Sequence, residues 1–243
     1  MQDRFVGDIG DYGKLGLLRY LLGSGLSLGV NWYRVSNADD NNDGMHIAYL
    51  RREEFSLCDR PLWQSLKEIV EADRREIASL EQNGLLNAVY FGEPLDNAVL
   101  PEPQRSAFRR VWHERALKAL AGIDLVFLDP DTGLMVPSRK GTAEANKYVE
   151  PEEMADYYAQ GSSVVYYQHK ARRLDSFYME QHKSLLESGL FPSASGLGVK
   201  FNTTSLRYYF FILRPEHEAL ISAQVQKMLA GPWRRHFSLI ELN

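Results

Sequence analysis

From Asp8 to Leu22 the chain reads DIGDYGKLGLLRYLL, with Leu15, Leu18 and Leu22 on one helical face and glycines at 7, 10 and 13 ahead of them. This pattern predicts a turn-rich polar lead-in followed by a buried helix. Val30 to Val35 and Met45 to Leu50 are rich in β-branched and aromatic residues and predict two strands around a polar loop, Ser36 to Gly44. Leu62, Leu66, Ile69, Val70, Ile77 and Leu80 recur at helical spacing across Pro61 to Leu80, and Leu85 to Phe91 then reads as a buried strand. Pro103 to Leu120 predicts another helix through Phe108, Val111, Trp112 and Leu117, and Ile123 to Leu128 is an almost unbroken apolar strand.

The second half continues the alternation. Glu150-Pro151-Glu152-Glu153 carries the proline and acids of a helix start. Ser163 to Gln168 predicts a strand, and Arg173 to Leu186 a helix. Gly196 to Phe201 and Leu206 to Leu213 predict an antiparallel hairpin joined by Asn202-Thr203-Thr204-Ser205. Strands separated by helices imply an α/β fold over residues 1–243 as a single domain. The expected architecture is a three-layer, Rossmann-like, mostly parallel sheet with a C-terminal antiparallel hairpin.

Composition leaves that picture intact. Hydrophobic residues make up 44% and charged residues 25% of 243, as in an ordinary globular protein. A net charge of −4 argues against a non-specific coat for nucleic acid, although local basic patches can still meet phosphates. No signal-peptide pattern and no membrane-spanning run is visible, so the expected location is the cytoplasm, with no membrane partner. The single cysteine, Cys58, has no internal disulfide partner and is read as structural.

Candidate chemistry gathers at predicted strand ends. Asp129-Pro130-Asp131-Thr132-Gly133 follows the most apolar strand and puts two carboxylates where open α/β sheets bind ligands, although the same residue types also make a plain turn. Gln168-His169 follows the next strand, with Lys170, Arg172 and Arg173 just beyond. The imidazole suits acid–base work or metal ligation, and the cations suit phosphate. Asp43 and His46 lie in a turn-forming loop, and Asp8, Asp11 and Lys14 in the glycine-rich lead-in, where a cofactor's anionic group can meet backbone N–H groups. Lys140 to Tyr148 reads as a lid carrying Lys147 inward, or as an exposed loop. The aromatic runs Tyr166-Tyr167 and Tyr208 to Phe211 read as strand core rather than as stacking platforms.

The element order, the Asp129-Pro130 turn and the hairpin from Gly196 to Leu213 resemble class I S-adenosylmethionine-dependent methyltransferases. The lead-in from Gly7 to Leu22 is loosely similar to the start of certain bacterial RNA and DNA base methyltransferases and of the three-Cys-motif partner proteins. An uncharacterised bacterial family also resembles this chain in the segments around Lys14, His46 and Gly133. In the methyltransferases an Asp-Pro-Pro-aromatic turn holds the target amine. Asp129 and Pro130 match its first two positions, whereas Asp131 and Thr132 depart from the rest. Ser36-Asn37-Ala38-Asp39-Asp40 stands where a glycine-rich cofactor loop is expected.

Three functions follow. The first is a nucleic-acid-modifying enzyme using S-adenosylmethionine. It has Asp129, Asp131 and His169 as catalytic groups and Asp8, Asp11, Lys14, Asp43 and His46 toward the cofactor. Pro130, Lys147, Gln168, Lys170 and Arg172 then lie toward the substrate. The second is a nuclease or phosphodiesterase with Mg²⁺ or Mn²⁺ held by Asp43, Asp129 and Asp131. The third is a non-catalytic binding module.

Overall fold

The structure, a computed structural model, describes residues 1–36, 44–203 and 206–242. The strands are β1 (Leu28–Asn31), β2 (Ala88–Phe91), β3 (Leu125–Leu128), β4 (Gly133–Leu134), β5 (Tyr148–Val149), β6 (Ser163–His169), β7 (Ser195–Phe201), β8 (Arg207–Leu213) and β9 (Phe237–Leu239). The helices are α1 (Ile9–Leu21), α2 (Glu53–Ser56), α3 (Arg60–Glu71), α4 (Ile77–Gln82), α5 (Gln104–Ala119), α6 (Pro151–Ala159), α7 (Asp175–Leu186) and α8 (Pro215–Ala230).

Among the described residues one seven-stranded sheet runs in the order β2-β1-β3-β6-β8-β7-β9. The first four are mutually parallel, and β8 enters antiparallel between β6 and β7. The expected α/β, Rossmann-like layout and the antiparallel C-terminal hairpin are therefore present. Strand alternation explains the three layers. On β8, Tyr209, Phe211 and Leu213 join a core with α1, α3, α4 and α8, while Tyr208, Phe210 and Ile212 join a second core with α5, α6 and α7.

Several local expectations change. The segment Met45 to Leu50 is not a strand; its apolar residues Tyr49 and Leu50 are buried from a short 3-10 turn, Ala48–Arg51. The helical pattern across Pro61 to Leu80 breaks into α3 and α4, with Asp73 at φ 53° between them. One apolar stripe serves both pieces because Leu66, Ile69, Ile77 and Leu80 face the same core. Strand β2 lies at the sheet edge with Val89 43% exposed, so it is not buried on both faces.

The glycines of the lead-in have a different use from the one expected. Gly10, Gly13 and Gly16 lie inside α1, where a Cβ would meet Arg207 at 2.7 Å, Phe201 at 2.6 Å and Trp233 at 2.3 Å. The spacing of three keeps them on one face, so the helix backbone can press onto β7, β8 and the C-terminal segment. A Gly-to-Ala change in an exposed helix interior normally gains about 1 kcal/mol from propensity. Gly16→Ala is instead expected to lower stability by about 1–3 kcal/mol, because the fully buried Trp233 has nowhere to move. Urea unfolding checks the sign, and an unchanged or raised midpoint would refute the close-packing role.

Candidate functional site

The carboxyl ends of β3 and β6 and the start of β8 open onto a cavity of about 300 Å³, closed on one side by the N-terminal turn of α1. Its lining includes Asp8, Asp11, Lys14, His46, Asp129, Pro130, Asp131, Tyr167, His169 and Arg207.

Each group has a local cause. Asp8 is the N-cap of α1 and accepts the Asp11 backbone N–H at 3.0 Å. Asp11 accepts from the Gly7 N–H at 3.1 Å, so the lead-in folds back onto its own helix. One turn on, the Lys14 ammonium lies 2.7 Å from both Asp11 Oδ1 and Asp129 Oδ2. The turn after β3 is clamped from β6: Gln168 Oε1 accepts from the Leu134 N–H at 2.9 Å, and its Nε2 donates to the carbonyls of Thr132 and His169. Gly133 has φ +132° and a Cβ there would lie 2.2 Å from Gln168 Oε1, so the last residue of the Asp-Pro-Asp-Thr-Gly turn is glycine for backbone reasons.

Electrostatics divide the acids among three internal cations, Lys14, the Met1 ammonium and Arg207. Burial pushes the Asp11 and Asp129 carboxyls above their ordinary range against the pull of Lys14. Burial opposes the charge on Lys14 in turn, but the two carboxylates outweigh it and hold the ammonium's pKa above its ordinary value. Asp131 sits 2.8 Å from the Met1 ammonium and also accepts from Gln2. Burial works against its charge, yet the ammonium prevails and keeps the carboxyl below its usual range. Arg207 reaches to 3.7 Å from Asp8, and Tyr167 OH lies 3.5 Å from His169 Nδ1. Burial pushes the Tyr167 phenol up to about 12, so it stays a neutral donor at ordinary pH.

Asp8, Asp11, Lys14, His46, Asp129, Pro130, Asp131 and His169 thus converge on one cavity. Five other candidate residues change role or fall outside it. The amide of Gln168 is spent on the backbone, so it shapes the turn instead of meeting substrate. Lys170 pairs with Asp175 at 2.9 Å and, with Arg172 and Arg173, lines a shallow depression beyond His169. Lys147 is not in the lining but contributes a field that lowers the Asp131 pKa. Asp43 lies outside the described residues.

The segment Lys140 to Tyr148 is pinned rather than poised as a lid. β4 and β5 pair, and Arg109 donates to the carbonyls of Ala145 and Tyr148 at 2.7 Å each. Sequence reasoning missed Arg207 and Tyr167. Arg207 heads an apolar strand in register with His169, a signal visible only after β6 and β8 are paired.

Asp11, Asp129 and Asp131 each pair with an ammonium group. Among the described residues no three His, Cys, Asp or Glu side chains form a metal-holding group, and Lys14 occupies the point between Asp11 and Asp129. The sheet order reverses between β1 and β3, where a Rossmann-like fold opens its crevice. Here the Met1 ammonium fills that crevice, 3.0 Å from the carbonyls of Trp32, Tyr33 and Asp129. Trp32 and Tyr33 are fully buried behind it.

No family model and no curated protein matches the chain. Among solved structures, a crystal structure of a Legionella pneumophila str. Philadelphia 1 protein placed in the family model DUF519 is 11% identical. It aligns over 97% of this chain and 96% of its own, with a TM-score of 0.46. Among the described residues no helix is long and apolar enough to cross a membrane.

Proposed function

We propose that the chain is a nucleic-acid-modifying enzyme that takes an amine-bearing nucleobase into the cavity above β3, β6 and β8. The observation that carries this reading is the acceptor-rich lining at the strand ends. Four carboxylates and the Asp129-Pro130 turn surround the space, while its cations are largely engaged by those carboxylates. Such a lining is poor for a phosphate and suited to hydrogen-bond donors on a base edge. Phosphates meet Arg172 and Arg173 at the rim. His169, with Tyr167 beside it, is the proton carrier, and His46 faces the same space from the opposite segment. The antiparallel β8 between β6 and β7 accords with the methyltransferase-like resemblance.

Oligonucleotides incubated with the protein and examined by mass spectrometry test the reading. Modification of an amine-bearing base is expected, with at least a hundredfold loss in His169→Gln, the scale of a missing general acid or base. Binding without turnover in the wild type, unchanged by His169→Gln, would favour the binding module instead.

A further inference from the structure

A second cleft of about 340 Å³ adjoins the first and shares His46 with it. Ile9 stands at the junction, its backbone N–H held by the His46 carbonyl at 3.0 Å. The two spaces therefore follow one another along the N-terminal turn of α1.

The second lining differs in character from the first. Its floor is aromatic: Phe55 stacks on His236 with ring centroids 4.6 Å apart at 12°, and Tyr49 meets Phe55 edge-on at 5.7 Å. Tyr12 OH donates to the Phe55 carbonyl and Tyr49 OH to the Gly7 carbonyl, so that floor is tied to the helix that also carries Asp11 and Lys14. The Arg52 guanidinium extends over Phe55 at 5.1 Å and is exposed, where it pairs with the carboxylate of Glu54 at the surface. Asn202 and Thr203 supply polar edges. His236 Nε2 is buried and has no hydrogen-bond partner in the protein, a costly state that a polar ligand atom at this wall would relieve. An aromatic wall, one exposed guanidinium and an unmatched ring nitrogen form the combination that receives a nucleotide: a base or sugar against the His236 ring, a phosphate on the arginine.

We propose that this cleft binds the nucleotide next to the target, so that the substrate is a strand of at least two nucleotides rather than a free nucleotide. This rests on the proposed base-modifying reading. With the target base in the first cavity, the linking phosphate passes His46 and Arg52, and the neighbouring unit lies against the half-exposed His236 ring. The first cavity selects an amine-bearing base, and the second selects for chain length.

The experiment is calorimetric titration of the full chain with adenosine, cytidine and guanosine 5′-monophosphates and with dinucleotides containing those bases, in ribo and deoxy forms. At least tenfold tighter binding of a dinucleotide is expected. Arg52→Gln and His236→Gln, both away from the first cavity's lining, are expected to remove that advantage, so that dinucleotide and mononucleotide bind the variants equally. Equal affinities for one and two units, or an advantage untouched by both variants, would overturn the second subsite while leaving the base-modifying reading standing. Binding of neither probe would overturn that reading and this inference together.

Discussion

Lys14→Met is expected to cost the fold about 3–5 kcal/mol, the usual result of removing one partner from a buried ion pair. The loss falls at the high end because one ammonium serves two carboxylates, Asp11 and Asp129, each at 2.7 Å and all three nearly excluded from solvent. Out of a total stability of about 5–15 kcal/mol, this leaves a marginal protein. The deficit depends on pH. Without the ammonium, both buried carboxyls are held still further above their unfolded pKa values, since burial already raises them in its presence. A group whose folded pKa exceeds its unfolded one loses stability as pH rises through the folded value. Lys14→Met is therefore expected to be closer to wild type at pH 5 than at pH 8. Urea unfolding at both values checks this, and an equal deficit at each would mean that the carboxyls are not what the ammonium stabilises. Lys14→Met/Asp129→Asn is expected to recover part of the loss.

Arg109→Met is expected to destabilise by a similar amount, about 3–5 kcal/mol, with a different signature. Arg109 grips Glu153 through two parallel contacts of 2.7 and 2.8 Å, and Glu153 also accepts from the Tyr33 hydroxyl at 2.9 Å. Burial opposes the Glu153 charge, and the guanidinium overcomes it and holds the carboxyl below its ordinary range. The same guanidinium satisfies the carbonyls of Ala145 and Tyr148. Its removal leaves a buried charge unpaired and releases the segment that carries β5. Hydrogen exchange is expected to accelerate across 143–149 well before the sheet opens. Exchange that rises uniformly, or only in α5, would show that Arg109 does not hold this segment.

The charges around Lys14 read as chemistry from the sequence, whereas Glu153 read only as part of a helix start. Asp129, Asp131 and His169 were legible because strand ends follow from hydrophobic runs, and polar residues at such ends gather on one edge of a parallel sheet. Lys14 and the two acids beside it were legible as a cluster. Their mutual neutralisation was not, because Asp129 is 115 residues from Lys14. Gln168 read as substrate-binding, but its amide fixes the Asp-Pro-Asp-Thr-Gly turn, and nothing in its neighbours along the chain indicates that.

The chain's own periodicity determined the α/β class, the parallel centre, the C-terminal hairpin and the strand ends that carry Asp129 and His169. Those properties arise from local alternation of apolar and polar residues, which a window of a few residues records. Only the tertiary structure decided which carboxylates meet ammonium groups and that Gly10, Gly13 and Gly16 are contact points inside a helix. It also decided that Arg207 enters the cavity and that Met1 fills the crevice between β1 and β3. Each of these depends on which distant segments are brought together, and the balance of burial against pairing that fixes a charge's role exists only once they meet.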